Sequence, residues 1–132
     1  MIAFHSRGST FAYRYSFVSS VWLPSRLQPK HDLQGVGAVT DPNTGLVYLA
    51  AGYAGDNRNS MDIYDFETDT MVSNPMSAQA LAIFSNRAYY ANVWSEKRKS
   101  ILYFGGYNAT LSQISDNNIT EFVPATQTWS TL

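Results

Sequence analysis

The chain has 132 residues, 45% of them apolar, which is enough for one ordinary core. Its net charge of -1 and pI near 6.0 withhold the long-range attraction on which a nucleic-acid or anionic-membrane binder relies. No stretch approaches the roughly eighteen apolar residues of a spanning helix, and the absence of Cys removes any disulfide framework and any thiolate chemistry.

In chain order, residues 1–10 read as a disordered or remnant N-terminus. Met1-Ile2-Ala3-Phe4-His5-Ser6-Arg7 lacks the positive cap, apolar run and small-residue cleavage site of a secretory signal. Either the protein stays inside the cell or its true beginning lies upstream. Residues 11–32 follow as a partial unit and linker, with two strands expected over about 11–23. Here Tyr15 is followed seven positions later by Trp22.

Residues 33–76 form the first complete unit, with strands expected over about 34–40, 46–51, 61–66 and 70–73. The turn Asp41-Pro42-Asn43-Thr44-Gly45 leads into the apolar run Leu46–Ala50, which closes on Ala51-Gly52. Tyr64 and Met71 repeat the seven-residue aromatic-to-apolar spacing.

Residues 77–132 form the second complete unit, with strands expected over about 87–94, 101–105, 118–123 and 128–131. Ala78, Ala80, Leu81, Ala82 and Ala88 are compatible with a helix. A loop to about 86 followed by a strand is preferred, because Tyr89-Tyr90 and Val93-Trp94 are strand formers placed just before a turn. Ile101-Leu102-Tyr103-Phe104 then closes on Gly105-Gly106, and Phe122 precedes Trp129 by seven positions. The glycines recur after 54 residues (52 to 106) and the aromatics after 58 (64 to 122), so one loop has gained four residues. Thr68 and Thr70 also recur, as Thr126 and Thr128.

A four-stranded antiparallel sheet of about fifty residues, repeated, is the signature of a propeller blade. The expected fold is all-β: a partial propeller of about two blades plus the outer strands of a third. Two-sided burial in such a stack accounts for the lost polar alternation of Ile101–Phe104. The aromatics Trp22, Tyr64, Phe122 and Trp129 are read as core rather than as ligand contacts.

These residues resemble the Kelch repeat: a double glycine ending the second strand, then a Tyr, then a Trp some seven residues on. Gly105, Gly106, Phe122 and Trp129 match, with Phe for Tyr. Ala51, Gly52, Tyr64 and Met71 form a degraded copy, and Tyr15 with Trp22 a partial one. The resemblance is to galactose-oxidase-like Kelch proteins of fungi, many of them extracellular or membrane-anchored. It implies a binding scaffold without catalytic residues or cofactor in this chain, or, as the alternative, the non-catalytic portion of a secreted enzyme of that type.

The copper chemistry of galactose oxidase needs Tyr and His ligands and a Cys-linked Tyr, whereas this chain has no Cys and only His5 and His31. His31 beside Asp32 reads as polar surface, since no motif places a nucleophile near it. Asp56-Asn57-Arg58-Asn59-Ser60-Met61-Asp62 fails as a calcium loop, because Arg58 stands at a ligand position and Met61 where the turn needs Gly. Lys97-Arg98-Lys99 reads as a solvated hairpin tip.

Two N-glycosylation sequons begin at Asn108 and Asn118 and lean the reading toward a secretory origin. The partner expected is a protein or a glycan, met by loops 53–60 and 107–117. Nucleic acid is not expected. A segment of barely more than two blades leaves an apolar sheet face at each end, so self-association is expected as well.

Overall fold

A computed structural model describes residues 1–4, 12–27, 34–52, 59–84, 87–108, 110, 112–114 and 118–132. The described residues are all-β, with one short helix, and lie in three antiparallel sheets. The first holds β1 (Ile2–Phe4), β2 (Ala12–Ser16) and β3 (Val21–Pro24). The second holds β4 (Ala38–Thr40), β5 (Leu46–Ala50), β6 (Ser60–Asp65) and β7 (Thr70–Pro75). The third holds β8 (Ala91–Ser95), β9 (Ser100–Phe104), β10 (Thr120–Val123) and β11 (Thr128–Thr131). Each sheet is a meander in chain order and none closes on itself, which is the arrangement of a partial propeller.

The aromatic spacing becomes register. Tyr15 lies directly opposite Trp22, Tyr64 opposite Met71, and Phe122 opposite Trp129. In each hairpin the residue two before the second member has a positive φ: Ser20 at 56°, Asp69 at 54° and Gln127 at 53°. One turn geometry is thus built three times from different residues. The recurring threonines belong to it, because the hydroxyls of Thr68 and Thr70 lie 2.7 Å apart, as do those of Thr126 and Thr128.

The second sheet is covered on both faces. Val47, Leu49 and Tyr64 pack with Ala12 of the first sheet, joined by Ile2, Phe4, Val36 and Met71. Tyr48, Ala50 and Met61 point the other way, into a core shared with Ile101, Tyr103, Phe122 and Trp129. A strand buried on both sides has no solvent face to supply polar alternation, which is why β5 reads as an unbroken apolar run.

Three features depart from the sequence reading. Residues expected as loop form α1 (Ala78–Phe84). The Ser77 hydroxyl caps it by accepting from Ala80 N at 3.2 Å, and the helix buries Ala80 and Phe84 against the third sheet. The following strand consequently starts at Ala91 rather than 87. Ile2–Phe4, within the segment read as disordered or remnant, pairs with β2 as a further strand. Finally, Trp22 is not core: it is 45% exposed, because no described residue covers the outward face of the first sheet.

Candidate functional site

The small-residue pairs that close β5 and β9 define one end of the sheets. Ala51 and Gly52 have φ of 48° and 116°, and Gly105 and Gly106 have 55° and 101°, so the two pairs follow the same backbone path. A Cβ on Gly52 would lie 2.3 Å from Val36 Cγ2, and one on Gly106 would lie 2.7 Å from the Ala88 carbonyl oxygen. The second member must therefore be Gly at both places, since the chain leading into β4 or β8 passes across it. The first member meets only a conformational demand, which Ala51 satisfies at modest cost.

Backbone hydrogen bonds tie the two sheets together here. Gly52 N donates to Arg87 O at 3.0 Å and Tyr89 N to Gly35 O at 2.7 Å. Within the third unit, Ala88 and Tyr107 exchange bonds of 3.0 and 2.8 Å that extend the β8–β9 pairing. The Tyr90 hydroxyl donates across the interface to the Ala50 carbonyl. Arg87 is buried, with its guanidinium 4.8 Å from the Phe84 ring centroid and 3.4 Å from Thr120 Oγ1.

This stitched backbone presents two tyrosines outward. Tyr89 is 54% and Tyr107 40% exposed, with rings 6.2 Å apart and nearly perpendicular. Beside them Asn108 is exposed, and its Oδ1 accepts from Thr110 N at 3.0 Å, Thr110 Oγ1 at 2.8 Å and Ser112 N at 3.0 Å. Ser112 O accepts from Asn108 N, and Gly106 O from Ile114 N. The described part of this loop is thus held by its own polar groups, with apolar rings and hydroxyls facing solvent together. Such a surface can stack on a ring or apolar face and hydrogen-bond at its edge.

The repeat-motif residues divide by role. Tyr64, Phe122 and Trp129 are buried. Met71 packs with Val47, Leu49 and Tyr64, and Tyr15 meets Trp22 edge-on at 5.3 Å. None of them lines the tyrosine surface. Asn118 is exposed just before β10, while Thr120 of the same sequon is buried. His5, His31, Asp32 and residues 53–58 of the expected binding loop 53–60, which include Asp56, Asn57 and Arg58 of the rejected calcium loop, lie outside the described residues. Among the described residues no three His, Cys, Asp or Glu side chains group as a metal site. No described helix is long and apolar enough to cross a membrane.

Sequence reasoning missed one cluster. Arg98, read as a solvated tip residue, donates from Nε and Nη2 to Glu121 at 2.6 and 2.9 Å, and Ser100 Oγ donates to the same carboxylate at 2.6 Å. The Arg98 bonds and the Ser100 hydroxyl outweigh burial and hold the Glu121 carboxyl down to about 2. A Glu within a strand otherwise read as core was the available signal. Lys99 of the same tip pairs with Glu96.

No family model matches the chain, and no curated protein is significantly similar to it in sequence. Among solved structures it is similar to a fungal alcohol oxidase of the AA5 family determined in complex with copper, at 18% identity and a TM-score of 0.56. The match covers 96% of this chain and 25% of the oxidase, so the chain spans about a quarter of that protein's length. At this identity the likeness concerns the fold alone. It accords with the all-β architecture of open antiparallel sheets.

Proposed function

We propose that the chain is a Kelch-type propeller segment that binds a protein or glycan partner through the loops at its double-glycine end. The observation that carries this reading is the exposed Tyr89–Tyr107 pair, mounted on backbone that the glycines and the inter-sheet hydrogen bonds hold in place. Binding residues concentrate on loops carried by rigid scaffolds, and rigid aromatic rings supply contact area at low entropic cost. The ordered Asn108 loop adds hydroxyl and amide groups at the rim. The test is NMR or calorimetric titration with a panel of mono- and oligosaccharides and with extracellular protein extracts fractionated to single components. A ligand should be found whose binding weakens at least tenfold in Tyr89→Ala and in Tyr107→Ala. Binding that survives both changes refutes the site.

The similarity to a copper-bound oxidase favours a second reading, in which these sheets are a non-catalytic portion of a galactose-oxidase-like secreted enzyme. The residues present do not fit the copper chemistry expected of that type, because the chain has no Cys to form the Tyr crosslink. No reaction step is therefore assigned to this chain. Flanking sequence containing Cys, Tyr and His at ligand spacings would favour the second reading, and further Kelch units without them the first. A secretory origin accords with the exposed sequon at Asn108.

A further inference from the structure

The loop that leaves the double-glycine end of the third sheet carries a sequon whose parts the fold has already arranged. Asn108 directly follows Tyr107, and the pairing of Tyr107 with Gln113 closes the base of the loop. Three donors, Thr110 N, Thr110 Oγ1 and Ser112 N, converge on one atom of the Asn108 side-chain amide. Only the oxygen of an amide accepts hydrogen bonds, so these contacts fix which way the group is turned. The amide is planar, and its Nδ2 therefore faces away from the loop, with no hydrogen bond among the described residues. Asn108 and Thr110 are both exposed.

The sequon at Asn118 is built differently. Its Thr120 is buried within β10, directly opposite Tyr103, with the Oγ1 atom 3.4 Å from Arg87 Nη1. An enzyme that must reach both members of a sequon finds Thr120 only before that strand has paired, whereas Asn108 and Thr110 stay accessible in the folded chain.

A sugar on Asn108 starts beside an aromatic corner. Consecutive Cα atoms lie about 3.8 Å apart, so the first sugar ring begins within its own width of Tyr107. The Tyr89 ring stands 6.2 Å from that of Tyr107 at 86°, one face next to the other's edge. A pyranose has an apolar C–H side that lies on an aromatic face while its hydroxyls stay in water.

We propose that Asn108 carries an N-linked glycan whose first N-acetylglucosamine lies on Tyr107, so that the modification covers the tyrosine surface and regulates it. The regulation rests on reading that surface as a binding site. In the attachment, Asn108 Nδ2 attacks the anomeric carbon of an oligosaccharyl diphosphate. The new C–N bond replaces the C–O bond to the diphosphate, which leaves with the electron pair, and Nδ2 gives up one proton. Tethering holds the sugar at an effective concentration in the millimolar range, so a stacking contact of about millimolar strength is formed about half the time. An external ligand then competes with it for the same rings.

The test compares one polypeptide in two forms and needs no substitution. The chain from a secretory host, trimmed enzymatically to a single N-acetylglucosamine, is set against the bare chain from bacteria. The ring currents of the tyrosines should displace the sugar's proton resonances upfield. Nitration of Tyr107 by tetranitromethane, mapped by mass spectrometry, should slow at least about twofold on glycosylation, while Tyr13, exposed on the first sheet, should react at one rate in both forms. In Tyr107→Ala carrying the same sugar, the resonances should return to their free positions. An unmodified Asn108, a sugar with free-sugar shifts, or an unaltered Tyr107 rate would each overturn the proposal. The binding reading fails separately: a bare chain that binds no member of the ligand panel sinks that reading and the regulation while the sugar keeps its seat, whereas a bare chain that binds one while the sugar lies free sinks the seat alone.

Discussion

Gly105 and Gly106 are neighbours of the same residue type, yet the structure assigns them different reasons for being Gly. At Gly105, with φ 55°, an added Cβ meets nothing within 4 Å. Gly105→Ala should therefore cost only the left-handed penalty, about 1 kcal/mol. Ala51, at φ 48° in the equivalent place, is the existing precedent. At Gly106, with φ 101°, the Cβ would lie 2.7 Å from the Ala88 carbonyl oxygen and 3.1 Å from Tyr90 Cβ. Backbone cannot step aside as a flexible side chain can. Strain of about 1–3 kcal/mol then adds to an overpacking cost of about 1–3 kcal/mol, so Gly106→Ala should lose roughly 2–6 kcal/mol, a large share of a small domain's stability. Urea unfolding followed by tryptophan fluorescence would measure both, the midpoints being comparable if the slopes agree. Equal losses at the two positions would refute the argument, because they would show that conformation alone, and not the close backbone passage, selects Gly106.

Further outcomes follow from other contacts. Phe84 is fully buried and packs within 4.6–5.2 Å of the Tyr90, Tyr103 and Trp129 rings; Phe84→Ala should lose about 3–5 kcal/mol and collapse the near-UV dichroism of those rings, and a loss under about 1 kcal/mol would mean that the helix does not dock. Glu121 is depressed when folded, so its contribution is complete above its ordinary carboxylate range and disappears as pH falls from about 4.5 toward 2. Acid titration of stability should show that loss, about 2 kcal/mol after allowing for the half-exposed Arg98 arm, and Glu121→Gln should flatten it; an unchanged acid limb in the variant would remove Glu121 from the account. Produced through a secretory host, the chain should gain a glycosidase-sensitive mass that Asn108→Gln diminishes, and an Asn108 peptide found wholly unmodified would count against use of that sequon.

Much of the fold was legible because its signals are local. Tyr64 with Met71 and Phe122 with Trp129 are direct cross-strand pairs of one hairpin type, so their spacing in sequence is the length of that hairpin. The turn clusters and double-small pairs likewise record backbone demands that few residue types meet. The helix at 78–84 was less legible: alanines there suit either state, and what settles it is the burial of Ala80 and Phe84 against the third sheet together with the Ser77 cap. The tyrosine surface was legible only in part. Tyr107 opens the loop expected to meet a partner, whereas Tyr89 reads as an ordinary strand former until Gly35, Gly52 and Gly106 bring the two loops side by side.

From the amino-acid sequence alone came the strand order, the repeat length and the all-β class, since these depend on neighbours a few positions apart and on a pattern that recurs. Which aromatics are buried was decided only by the stacking of sheets. Tyr64 and Trp22 occupy opposite members of the same kind of cross-strand pair, yet one has a sheet against its face and the other has none among the described residues. Burial is a property of what lies across an interface, and no local spacing encodes whether that neighbour is present.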